Sequence, residues 1–95
     1  METWFASKEQ REDAIAALRA MPKQTRRLLE QAVEHQELTR HELSESARQL
    51  ESKGLIFCRE GEVWEPWIIT PSLWGEEALH RLEIRERKER RAQHS

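Results

Sequence analysis

Leu38 to Ile56 reads LTRHELSESARQLESKGLI, and the assignment of this stretch decides the fold. Thr39 is followed three residues later by Glu42, the spacing of a capping box. In that motif the Thr hydroxyl accepts from the N3 amide and the Glu carboxylate from the N-cap amide. Leu38 just before the cap and Leu43 at the fourth helical position have the spacing of a hydrophobic staple. At the far end Gly54 can take the left-handed conformation without a Cβ clash, and Leu55 can pack back on Leu50. These signals predict a helix over about 40–53. Leu43, Ala47 and Leu50 recur at i, i+4 and i+7 and form a narrow apolar stripe. His41, Glu45, Arg48, Gln49 and Ser52 lie opposite it. A stripe of that kind needs a core to face, so the helix belongs to a packed domain.

Working toward the N-terminus, Leu28, Leu29, Ala32 and Val33 give a helix that follows Pro22 and runs to about 36. Pro22 suits a first turn, where a missing amide costs nothing. Glu37 and Leu38 leave room only for a tight turn before the Leu38–Ile56 stretch. Ser7 with Gln10 forms another capping box and opens a first helix over about 8–20, with Ala14, Ile15, Ala17 and Leu18 on its apolar side. Met21-Pro22 ends it.

Beyond Gly54 the pattern changes to strand. Leu55-Ile56-Phe57-Cys58 is a short apolar run, Glu60-Gly61-Glu62 is a turn signal, and Val63 to Thr70 is rich in aromatic and β-branched residues. The two runs predict a hairpin. Pro66 cannot donate to a ladder and marks an edge or a bulge. Pro71 ends the second strand. Ser72 caps a last helix carrying Leu73, Trp74, Ala78, Leu79 and Leu82, and beyond Ile84 the run RERKERRAQHS has nothing to bury. The expected architecture is mainly α with a small β-hairpin: three helices, a two-stranded wing and a C-terminal helix. Residues 1–84 make the domain, and 85–95 a charged tail or a projecting helix extension.

This order is that of a winged helix-turn-helix, and particular residues sharpen the likeness. Leu50-Glu51-Ser52-Lys53-Gly54-Leu55-Ile56 resembles the "Leu-Glu-x-x-Gly-Leu-Ile" run that ends the recognition helix in MarR-like and PadR-like regulators. Ile69-Thr70-Pro71-Ser72-Leu73-Trp74-Gly75 resembles their "Leu-Thr-x-x-Gly" step into the last helix, with extra residues before Gly75. The resemblance covers roughly Pro22 to Leu82. It implies a DNA-binding regulator whose helix at about 40–53 enters the major groove. Two departures stand against it: the tip Glu60-Gly61-Glu62 is acidic where such wings are basic, and the Asp-Arg-Arg wing signature is absent. Carboxylates beside phosphates are repelled, so this wing is not expected to enter a groove.

Composition excludes several classes. Ninety-five residues make one domain, 36% charged and 37% hydrophobic, with a formal net charge of −2. No run is long or apolar enough to span a membrane, and METWFASKEQ turns polar too soon for a signal peptide. Single Cys58 precludes an internal disulfide and suits a reducing cytoplasm. His35, His41, His80 and His94 lack metal-ligand spacing, no glycine-rich phosphate loop exists, and no catalytic constellation emerges; neither enzyme activity nor a cofactor is expected.

Two function classes follow. In the first, a cytoplasmic homodimer binds double-stranded DNA. Lys23, Arg26 and Arg27 on the second helix hold phosphates; Arg40, His41, Ser44, Arg48 and Gln49 on the third read bases or backbone. Against this, the same groups could form a solvated face with local ion pairs such as Arg26 with Glu30, and His41 reads more simply as a solvated residue. Pairing would use the first and last helices, through Trp4, Leu73, Trp74, Leu79 and Leu82. In the second class, a winged helix without DNA affinity binds and inhibits or adapts another protein. Four tryptophans in so small a chain support that reading, although filling a small core is the simpler role for most of them. On alternating strand faces Trp64 and Trp67 point opposite ways unless a bulge at Pro66 intervenes, so one of them is a candidate interface anchor.

Overall fold

The computed structural model describes residues 8–94, with side chains through residue 92. Its elements are α1 (Lys8–Ala20), α2 (Lys23–His35), β1 (Leu38–Arg40), α3 (Glu45–Ser52), β2 (Ile56–Arg59), β3 (Trp67–Pro71) and α4 (Leu73–His94). The strands form one antiparallel sheet in the order β1-β3-β2. The chain is thus mainly helical with a small sheet, but the sheet has three strands where the sequence pattern predicted two.

The third strand comes from the start of the Leu38–Ile56 stretch. Leu38, Thr39 and Arg40 pair with Ile69, Ile68 and Trp67 of β3. Thr39 is therefore a ladder residue and not a helix cap. The cap of α3 is Ser44, whose Oγ accepts from the Ala47 amide at 3.1 Å. Thr39 and Ser44 are both acceptable caps on local grounds. A β-branched residue fits the edge of a sheet equally well, and only the tertiary partner β3 decides between them. The tight turn expected after α2 is replaced by residues 36–44, which include β1. A helix-turn-helix joins its helices by about 3–4 residues, so the strict form of that motif does not apply here.

The other end of α3 follows its local signals. Gly54 has φ +73. The Leu55 amide donates to Leu50 O at 3.0 Å and the Gly54 amide to Glu51 O at 2.9 Å, the paired bonds of a Schellman motif. Leu55 and Leu50 are both fully buried, as the motif's hydrophobic contact requires. α2 starts after Pro22, whose carbonyl accepts from the Thr25 and Arg26 amides. It ends at Gln36, a left-handed residue (φ 65) whose own Nε2 donates to Val33 O at 2.6 Å.

The core lies between α1, α2, α3, α4 and the inner face of the sheet. Ile15 and Leu18, Leu28 and Leu29, Ala47 and Leu50 are buried in it, while Val33 and Leu43 are half-buried against it. The start of α4 is pinned to the end of α3. Ser72 donates its hydroxyl to Gly54 O at 2.7 Å and accepts from the Gly75 amide at 2.9 Å. Gly75 lies so close to the Leu55 backbone that a methyl group there would overlap the Leu55 carbonyl.

α4 continues to His94 across the expected boundary at residue 84. Its charged part does not simply project. Arg85 donates to both Glu12 carboxylate oxygens at 2.8 and 2.6 Å, Glu86 takes two bonds from Arg26, and Glu89 takes two from Arg19. Arg85, Glu86 and Glu89 share one side of the helix, so polar latches to α1 and α2 extend a packing that apolar residues begin. Beside these guanidinium groups the Glu12 and Glu86 carboxyls are held below their ordinary pKa, chiefly by the hydrogen bonds from Arg85 and Arg26.

Candidate nucleic-acid interface

The exposed part of α3 is short. Packing of Ala47 and Leu50 against α2 turns Glu45, Arg48, Gln49 and Ser52 outward. Between α2 and α3 runs an open groove of about 730 Å³, with Pro22 and Leu43 on its apolar lining and Gln24, Ser46, Arg48 and Gln49 on its polar lining. A smaller hollow of about 250 Å³, lined by Gln24, Arg27, Gln31 and Ser46, continues it along α2. The buried Thr25 hydroxyl closes the floor, 3.0 Å from Ser46 Oγ and 3.3 Å from Gln49 Oε1. That contact occupies the Gln49 carbonyl side and leaves its amide nitrogen available to an outside acceptor.

The eight residues picked out for DNA separate into two groups. Lys23, Arg27 and Arg48 are exposed, and none of them forms an ion pair among the described residues. Arg48 and Gln49 line the groove, and Arg27 lines the smaller hollow that continues it. Arg26 points the other way: its guanidinium holds Glu86 at 2.8 and 2.5 Å, with Glu30 3.4 Å from its Nε. It is an internal strut rather than a phosphate ligand. Arg40 lies on β1, where its Nη1 donates to Thr39 O at 2.7 Å, and His41 follows in the loop; neither belongs to α3. Ser44 is spent as the cap.

Sequence reasoning missed Gln24, Gln31 and Ser46. Gln24, Arg27 and Gln31 stand at i, i+3 and i+7 of α2, and that helical spacing was the available signal for a polar strip. The groove and the hollow that continues it carry two cations, Arg48 and Arg27, against one carboxylate, Glu45, in a chain whose formal net charge is −2; exposed Lys23 adjoins the groove residues Pro22 and Gln24 in sequence. His41, Glu42, Glu51 and Trp67 line a separate hollow toward the sheet, bordered by Arg48.

The β2–β3 loop, expected from the sequence to be a wing tip, is acidic and apolar. The strand expected from Val63 starts only at Trp67, and residues 60–66 form its loop, Pro66 included. The Glu65 amide donates to Glu62 O at 2.7 Å and closes a turn over Val63 and Trp64. Trp64 has φ 74 at the position where type II turns favour glycine. Its side chain is 94% exposed, with Val63 at 80% and Phe57 at 62%. The alternation argument for Trp64 and Trp67 thus fails, because only Trp67 is in the strand, and it is half-buried.

For the proposed pairing surface, Leu79 and Leu82 are buried within the chain, where α4 packs on α1. Trp74 is half-buried against the core and Leu73 is 48% exposed. Trp4 and the Ser7 capping box lie outside the described residues. Cys58 is half-buried, and burial followed by the neighbouring Glu51 carboxylate pushes its thiol up to about 11. Among the described residues no three His, Cys, Asp or Glu side chains gather as a metal cage, and no helix is long and apolar enough to cross a membrane. No family model, curated protein or solved structure matches the chain.

Proposed function

We propose that this chain is a small DNA-binding regulator of the winged-helix kind that holds duplex DNA on the α2–α3 face. The observation that carries the reading is the positive, hydrogen-bonding groove. Arg48 in the groove and Arg27 in the hollow that continues it are available to phosphates, with exposed Lys23 at the start of α2, and Gln24, Gln31, Ser46 and Gln49 add amide and hydroxyl groups to the same linings. Phosphate contacts position a protein, and amide side chains can bond adenine edges bidentately. Arg26, Arg40 and His41 have no part in this revised interface, and the acidic wing stays outside the DNA. A unit this small covers only a few base pairs, so an extended operator would take two copies.

A second reading, a protein-binding winged helix without DNA affinity, is favoured by the exposed Trp64 beside Glu60, Glu62 and Glu65. Selection of bound duplexes from a random pool separates the two. Enrichment of a short motif supports the DNA reading; recovery of an unenriched pool at low salt removes base readout, and no recovery at all removes DNA.

A further inference from the structure

We infer that the wing tip is a docking surface for a second copy of this chain, with Trp64 of one copy seated in the α2–α3 groove of the other. The inference does not depend on DNA binding. Val63 and Trp64 present exposed apolar side chains on the β2–β3 loop, with exposed Phe57 on β2, and a solvent-facing indole is a typical anchor for a protein interface. The positive φ of Trp64 is a conformation L residues avoid, and the hydrogen-bonded turn from Glu62 to Glu65 maintains it. Among the described residues nothing covers the indole. A glycine would satisfy the turn better, so the backbone keeps a large ring outward at the expense of local fit.

Charge selects the occupant. Glu60, Glu62 and Glu65 surround the tip, with Arg59 the only nearby cation along the chain. Nucleic acid is repelled by such a rim, and a second wing would set carboxylates against carboxylates. The groove between α2 and α3, taken with the hollow that continues it, has the opposite sign: Arg48 and Arg27 against Glu45. Its apolar lining of Pro22 and Leu43 and its volume of about 730 Å³ accept an indole. Wing and groove are different patches, so the contact is head-to-tail; it closes where two copies exchange wings and extends where they do not. The groove cannot hold a wing and a DNA duplex together, so self-association competes with DNA for the same cations.

Sedimentation equilibrium from micromolar to millimolar protein tests this at low salt. The parent should rise from the 11.4 kDa chain mass to twice that mass or beyond, and fall back as salt is added. Trp64→Gly, which suits the turn and should fold at least as well as the parent, should remain at the chain mass. The doubly substituted Arg27→Glu/Arg48→Glu chain, altered only at exposed sites, should also remain there. An equimolar mixture of the two variants should form a one-to-one pair, because one supplies an intact groove and the other an intact wing. A parent that stays at the chain mass overturns the inference, as does association of either variant at the parent's level. A mixture that fails to pair while the parent associates overturns it equally.

Discussion

Arg26 and Arg27 are sequence neighbours with opposite surroundings, and replacing each by alanine should produce opposite consequences. Arg26 grips Glu86 with two bonds, and the two side chains are only 22% and 27% exposed. Exposed ion pairs are worth about 0–1 kcal/mol, and breaking a fully buried one costs about 3–5 kcal/mol. A bidentate pair at this exposure falls between, so Arg26→Ala should cost about 1–3 kcal/mol in urea unfolding near neutral pH. That is a large share of a domain stability of about 5–15 kcal/mol. The pH dependence follows from Glu86. Its folded pKa is depressed below 4.5, so the pair's contribution is fully present above 4.5 and is lost as pH falls through the depressed folded value. The deficit of Arg26→Ala should therefore be constant from neutral pH down to about 5 and shrink below 4.5. Glu86→Gln should reproduce it, and the double variant should lose little more than either single one. A deficit under about 0.3 kcal/mol, or one unchanged in acid, would refute the strut assignment. Arg27→Ala should leave the unfolding midpoint unchanged.

Gly75→Ala drives a methyl group into the Leu55 carbonyl, so it should cost about 1–3 kcal/mol although alanine is the better helix former; a neutral result in urea unfolding would mean that α4 does not approach that backbone. Ser44→Ala should cost about 1 kcal/mol through loss of the α3 cap, and Thr39→Ala clearly less, since its site on β1 is exposed; the reverse order of midpoints would restore a helix beginning near residue 40. With its thiol raised to about 11, Cys58 should alkylate slowly at mildly alkaline pH in the folded chain and rapidly in urea; equal rates would place the thiol in open solvent.

What the sequence made legible was local. Gly54, Leu55 and Leu50 specify the end of α3 by themselves, because the left-handed glycine and the returning leucine need no distant partner. Ser72 likewise marks the start of α4. Thr39 misled because its environment is set by Ile68, about thirty residues away in the chain, and a capping box carries no information about that strand. Val63 and Trp64 misled in the other direction: β-branched and aromatic residues predict a strand, yet a turn hydrogen bond between Glu62 and Glu65 holds them out of the ladder. The α4 latches were invisible because Glu12, Arg19 and Arg26 become neighbours of residues 85–89 only after the helices pack. Of the residues lining the α2–α3 groove and its continuation, Arg27, Arg48 and Gln49 were legible from charge and helical face. Arg26 could not be distinguished from Arg27 without knowing where α4 lies.

The α2–α3 face is tested most directly by the salt dependence of duplex binding, measured by fluorescence anisotropy on the parent and on Lys23→Ala/Arg27→Ala/Arg48→Ala. Each phosphate contact contributes about −0.9 to the slope of log affinity against log salt. The parent should bind at low salt and weaken steeply as salt rises. Removing three cations should flatten the slope by about 2–3. Parent and variant binding with the same affinity and the same slope, or a parent that does not bind at all, would contradict the account.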